Sequence, residues 1–220
     1  MAWTAPQTWT LGQVVQPSDM NTQIRDNLSE TAPAKAATSG YLFRVTGANT
    51  LEEVQDQTTG WLDASSAILP SGAFDSPAQR RLVESASQRF WYELLFDDAS
   101  ARYAQWQVAL PRNADLSDAT ITIVWKAAAT TGNVRWSIGY QAVGDDDLWD
   151  AETVSFSTDG EDAAKETAED MNEYSQTAAF TAATGDVLRI RIARLGDHAN
   201  DSMSGDARVL GVKLTLGLSH

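Results

Sequence analysis

From about residue 88 onward, apolar residues recur at every second position, and this period constrains the fold more than any other feature of the chain. Phe90, Tyr92, Leu94 and Phe96 alternate with their neighbours, as do Ala104, Trp106, Val108 and Leu110. Ile121, Ile123 and Trp125 follow, then Val134, Trp136, Ile138 and Tyr140. Leu188, Ile190 and Ile192 repeat the pattern, and Leu210, Val212, Leu214 and Leu216 close it. A strand sends successive side chains to opposite faces, so each run presents one apolar and one polar face. Turn signals part the runs: Leu110-Pro-Arg-Asn113, Thr131-Gly-Asn133, Val143-Gly-Asp145, Thr184-Gly-Asp186 and Ser204-Gly-Asp206. Half-buried strands at turn-marked intervals imply an antiparallel, jelly-roll-like β-sandwich over residues 81–220. Trp106, Trp125 and Trp136 fall on the inward phase and are expected in the core. Trp91 lies on the opposite phase to Phe90 and Tyr92.

Residues 1–80 lack that sustained pattern and are rich in Ala, Thr, Gly and Pro. A short helix is expected near residues 18–30. Ser18 is a good N-cap, Asp19 suits the positive first turn, and Met20, Ile24 and Leu28 recur every four residues. That stripe is one residue wide, narrower than a helix needs to pack on its own domain, so it reads as a docking stripe. Tyr41–Val45 reads as a strand closed by Gly47-Ala-Asn49, and Gly60-Trp-Leu62 begins another. The whole is mainly β: an extended arm with one short helix, then the sandwich.

The chain carries 30 acidic and 16 basic residues, a net charge of −14. Such a balance argues against nucleic acid or an anionic membrane as the main partner. Residues 145–173 hold 12 acids against one base, Lys165, and read as a solvated excursion between strands. No run of about 18 apolar residues is present. The N-terminal residues have neither a basic nor an apolar signal region, so a soluble protein made in a cytoplasm is expected.

The chemical equipment is sparse. There is no Cys, and the two His are His198 and His220. Without a Gly-x-Ser-x-Gly elbow, a phosphate-binding loop or a His-Glu-x-x-His helix, the chain reads as non-enzymatic. Hard oxygen ligands at Asp145-Asp-Asp-Leu-Trp-Asp150 and Asp197-His-Ala-Asn-Asp201 could suit Ca²⁺, although hydrated turns are the plainer reading and no cofactor is expected. Trp149, with Asp145 and Asp147, is the candidate glycan contact, since a ring can stack on a sugar while carboxylates accept its hydroxyls. An aromatic buried at a subunit interface is the competing reading and the favoured one.

Three stretches resemble virion proteins of tailed bacteriophages. Thr8-Trp-Thr-Leu-Gly12 with Ser18-Asp-Met-Asn-Thr-Gln-Ile-Arg-Asp-Asn-Leu28 is similar to the N-terminal segment of many tail, fibre and head-surface proteins. Ala34-Lys-Ala-Ala-Thr-Ser-Gly-Tyr-Leu-Phe43 with Thr46-Gly-Ala-Asn-Thr-Leu51 resembles a fibre linker. Leu110-Pro111, Trp125-Lys-Ala, Thr131-Gly-Asn-Val-Arg-Trp136, Ala142-Val-Gly-Asp145 and Asp206-Ala-Arg-Val-Leu-Gly-Val-Lys213 resemble a β-domain of such proteins. The resemblance implies a structural protein of the virion surface, anchored through Trp3, Trp9, Met20, Ile24 and Leu28 and projecting a trimeric β-domain. Its expected role is capsid decoration, cement or head fibre on the major capsid protein. The alternative is a tail fibre or receptor-binding module contacting host surface glycans. The chain shows no heptad, collagen-like or β-helical shaft repeat, which favours the compact decoration reading.

Overall fold

The computed structural model describes residues 41–47, 50–55, 57–72, 75–147, 149, 155–178 and 186–218. The expected helix near residues 18–30 and the anchoring residues Trp3, Trp9, Met20, Ile24 and Leu28 lie outside them. The chain divides into two units, Gln57–Gly217 and the remainder. Of the remainder, the structure describes a hairpin of β1 (Tyr41–Gly47) and β2 (Thr50–Gln55), with an irregularity between Val45 and Gly47.

The larger unit is a sandwich of two antiparallel sheets. One contains β3 (Gln57–Asp63), β4 (Gln79–Glu84), β5 (Phe90–Phe96), β7 (Ala114–Lys126), β10 (Asn172–Ala178) and β12 (Ala207–Leu218). Its order is β10-β7-β12-β5-β4, with β3 also paired to β12. The other sheet runs β6-β11-β8-β9, from β6 (Ala101–Ala109), β8 (Asn133–Val143), β9 (Ser155–Ala163) and β11 (Val187–Leu195). A 3₁₀ turn, Ala64–Ser66, follows β3, capped by the Asp63 carboxylate accepting the Ser65 N–H. The described sheets begin at β3, ahead of residue 81, because Thr58, Gly60 and Leu62 find partners on the distant β12.

The expected alternation fills the core except at the start of β5, where Phe90 and Tyr92 are exposed. Leu94, Phe96, Ile121, Ile123, Leu188, Ile190 and Ile192 are fully buried together with Trp106, Trp125 and Trp136. Trp136 bridges the sheets: its ring meets Phe96 edge-on at 5.5 Å and Trp125 at 5.8 Å. Such edge-to-face pairs add about 0.5–1.5 kcal/mol each beyond the area they bury. The Thr131-Gly-Asn133 turn requires its glycine, since Gly132 has φ +93° and a Cβ there would lie 2.7 Å from the Met203 backbone.

Two departures from the alternation have physical causes. The acidic interval 145–173 contains β9, a paired strand rather than an excursion throughout. Its inward positions opposite Trp136 and Val134 are Gly160 and Asp162, so no apolar residue announces it. Gly160 leaves room for the Tyr174 hydroxyl, and Asp162 Oδ2 accepts the Trp125 indole N–H at 2.8 Å. Burial holds that Asp162 carboxyl above its ordinary value, despite the indole bond. The second departure is in β12, whose inward phase slips at Gly211. Ala207 and Val209 are buried on one side of it, and Val212, Leu214 and Leu216 on the other. The slip comes where β12 passes from β5 to β3 as its neighbour, and Leu210 therefore leaves the expected core set.

One charge is built into the core. Arg194 continues the inward phase of β11 and is fully buried. It grips Asp201 through two bonds of 2.7 and 2.9 Å, and donates to the carbonyls of Phe96, Met203 and Gly205. Asp201 Oδ2 also accepts the Arg135 N–H at 2.9 Å. With both partners so bonded, the pair tolerates burial and ties the 196–206 loop to the sheet.

Candidate functional site

The outer face of the six-stranded sheet carries a cleft of about 340 Å³ lined by Trp61, Asp63, Trp91, Tyr92, Lys126 and Leu210. Three of the lining residues have a local cause. Trp61 lies opposite Lys213, on the outward phase of β3. Its ring rests on Gly211, where a Cβ would approach Trp61 Cζ2 and the Leu62 carbonyl to 2.5 Å. Glycine is therefore the residue that lets the indole lie flat against the strand. Trp91 is outward as its phase predicts, and Leu210 joins it through the slip at Gly211. Trp61 is 48% exposed, so its ring presents its surface to solvent, whereas the Tyr92 side chain lies on the opposite phase to Trp91 and Glu93.

Beneath the aromatic rim runs a charge network. Glu93 is fully buried and receives Lys126 Nζ at 2.8 Å, Arg81 Nη2 at 2.6 Å and the Trp91 indole N–H at 2.9 Å. Burial pushes its carboxyl up, but hydrogen bonds from Lys126, Arg81 and Trp91 outweigh that and hold it below the ordinary carboxylate value. Lys126 also meets Glu169 at 3.0 Å and stands 5.1 Å from the centre of the Trp91 ring. The network fixes the Trp91 indole from its edge and its face, so that wall of the cleft is preorganised.

The same groups are poor catalysts. Hydrolysis of a glycosidic bond needs two carboxyls flanking it, one to give a proton and one to act as base or nucleophile. In this cleft Glu93 is buried under three donors, and Asp63 Oδ1 caps the 3₁₀ turn through the Ser65 N–H at 2.7 Å. His198 stands exposed on the 196–206 loop, its Nδ1 accepting the Asn200 N–H at 3.1 Å. The arrangement can stack and hydrogen-bond a ligand rather than break its bonds.

Trp149, the candidate from the sequence, is 53% exposed on the β8–β9 connection. It meets a residue that was not anticipated: the Arg189 guanidinium carbon lies 4.1 Å from its ring centre. The two companion acids do not converge on it. Asp147 Oδ2 accepts the Gly144 N–H at 2.8 Å, and Asp145 is exposed to solvent. As to the Ca²⁺ expectation, both Asp201 oxygens are engaged by Arg194, and Asp150 lies outside the described residues. Among the described residues, no group of three or more His, Cys, Asp or Glu side chains is placed to hold a metal.

Sequence reasoning singled out Trp91 by its phase but did not join it to Trp61, Tyr92, Lys126 and Leu210. The usable signal was Gly211 in an otherwise apolar alternation, a mark of close approach within a strand.

The fold and cleft define a mainly β, antiparallel sandwich protein with an aromatic surface cleft. No protein-family model and no curated protein matches the chain. Among solved structures, it is similar to a family 35 carbohydrate-binding module from Clostridium thermocellum at 15% identity. That likeness covers 71% of this chain and 97% of the module, with a TM-score of 0.46. A xylan-binding module, CBM15, is 16% identical over 75% of this chain and all of its own, with a TM-score of 0.43. The CBM22-1 xylan-binding domain from Paenibacillus barcinonensis is 8% identical over 76% of this chain and 97% of its own, with a TM-score of 0.44.

Proposed function

We propose that the chain is a non-enzymatic, glycan-binding protein of the tailed-phage virion, whose sandwich contacts host surface carbohydrate. The observation that carries the binding is the cleft of Trp61 and Trp91 over the Glu93–Lys126 network. A sugar ring has an apolar C–H face and a polar hydroxyl rim. An exposed indole suits the face, and the Lys126 ammonium among the lining residues suits the rim. The phage setting rests on the resemblance of residues 8–28 to virion attachment segments, and the virion surface is the location proposed with it. A second reading, capsid decoration or head fibre anchored on the major capsid protein as a trimer, is favoured by the lack of any shaft repeat in the sequence.

Affinity electrophoresis through gels containing neutral polysaccharides tests the binding. The native chain is expected to be retarded by at least one polysaccharide, with no new reducing ends released. Trp61→Ala, at an exposed position, is expected to migrate as in a blank gel while keeping the native melting temperature. Unretarded migration of the native chain on every polysaccharide, or undiminished retardation of that variant, would overturn the reading. Virions lacking the protein separate the two settings: lost adsorption supports host contact, and heat-sensitive heads with intact adsorption support decoration.

A further inference from the structure

The four-stranded sheet carries on its outer face a charge that no carboxylate of a described residue answers. Arg189, in the middle of the outward phase of β11, is only 8% exposed. Its Nη1 donates to Gln141 Oε1 at 3.0 Å across the strand, and its guanidinium carbon lies over the Trp149 ring, 4.1 Å from the centre. Its Nε is buried with no hydrogen-bond partner. No carboxylate of a described residue forms an ion pair with it, in a chain with 30 acids and 16 bases. A desolvated guanidinium without a counterion is strongly disfavoured, and among the described residues the fully buried Glu93 and Arg194 each have theirs.

The chemistry of the missing partner follows from what is left over. Guanidinium presents five N–H groups in a rigid fork. With Nη1 engaged by Gln141, the Nε–Nη2 edge remains, and that edge matches a carboxylate through two parallel bonds. Trp149 adds an exposed aromatic surface beside it. A ligand joining a sugar-sized C–H face to a carboxylate satisfies both groups at once.

We propose that Trp149 and Arg189 form a second subsite, separate from the Trp61 cleft, that selects carboxylate-bearing sugars. The carboxylate takes the Nε–Nη2 edge of Arg189 and the sugar ring stacks on the indole. Nε is covered in the free protein, so the indole slides along the guanidinium to admit the carboxylate. Two acids limit the charge the subsite accepts. Asp147 holds the Gly144 N–H, and Asp186 Oδ1 borders the same glycine, 3.1 Å from where a Cβ would stand. They repel a run of negative groups, so the ligand carries isolated carboxylates rather than clustered sulfates or phosphates.

The test titrates the full chain with a glucuronic-acid-bearing oligosaccharide, and with the same oligosaccharide after reduction of its carboxyl to a hydroxymethyl group. Calorimetry gives the affinities, and tryptophan fluorescence reports the movement of the indole. The acidic form is expected to bind at least tenfold tighter. Arg189→Gln is expected to bring it down to the affinity of the reduced form, and Trp149→Ala to remove most of the binding to this subsite. Trp61→Ala leaves the preference for the acidic form intact. Equal affinity for the two sugars overturns the proposal, as does a full acidic preference in Trp149→Ala, whose exposed position keeps that variant folded whatever Arg189 does for stability. If the acidic preference depends on Trp149 while neutral polysaccharide is never retained, the subsite stands and the reading of the Trp61 cleft alone fails.

Discussion

The two outer faces of the sandwich treat buried charge in opposite ways. On the six-stranded sheet, Glu93 is enclosed by Lys126, Arg81 and the Trp91 indole, and every donor aims at it. On the four-stranded sheet, Arg189 is nearly as enclosed, yet has one amide and one ring against it. A satisfied network stiffens what stands on it, here the aromatic wall of a cleft. An unsatisfied charge stores a demand for a partner. Arg194, five residues from Arg189 on the same strand, shows what β11 does with an arginine meant for structure: it supplies Asp201 and three carbonyls.

That contrast can be broken by mutation. The largest effect is expected for Arg194→Ala, which leaves Asp201 buried without its cation and should cost about 3–5 kcal/mol in chemical denaturation. Glu93→Gln removes the charge that Lys126 and Arg81 enclose and should cost about 1–3 kcal/mol at neutral pH. Its sign with pH is fixed by the depressed carboxyl. The stabilisation is fully present above the unfolded value, about 4.3, and is lost as pH falls through the lower folded value. Melting temperatures between pH 7 and pH 3 should therefore fall more steeply for the native chain than for Glu93→Gln.

Gly211→Ala drives a methyl group into the Trp61 ring and the Leu62 carbonyl, and should cost about 1–3 kcal/mol while abolishing polysaccharide retardation. The smallest stability change is expected for Trp149→Ala, within about 0.5 kcal/mol. A loss as large as that of Glu93→Gln would mean that the Trp149–Arg189 pair is structural, and would erase the difference between the two faces.

The period of two made the sandwich legible, because Phe96, Trp125, Trp136 and Ile190 alternate against polar neighbours and must share a face. It failed where the inward positions are not apolar. β9 hides because Gly160 and Asp162 occupy them, one making room for the Tyr174 hydroxyl and the other taking the Trp125 N–H. The same local rule misplaced Leu210, since a slip at one glycine reverses every following side chain. Trp91 and Trp149 could be recognised as outward-facing from phase and loop position alone. Their partners could not, because Trp61 reaches Gly211, and Arg189 reaches Trp149, only through pairings between strands distant in sequence.

The most direct test reads the indole N–H resonances of the eight tryptophans by NMR while a retained neutral oligosaccharide is added. The account predicts that Trp61 and Trp91 shift in a saturable way, while the core residues Trp106, Trp125 and Trp136 stay where they are. Saturable binding with Trp61 and Trp91 unmoved would contradict it.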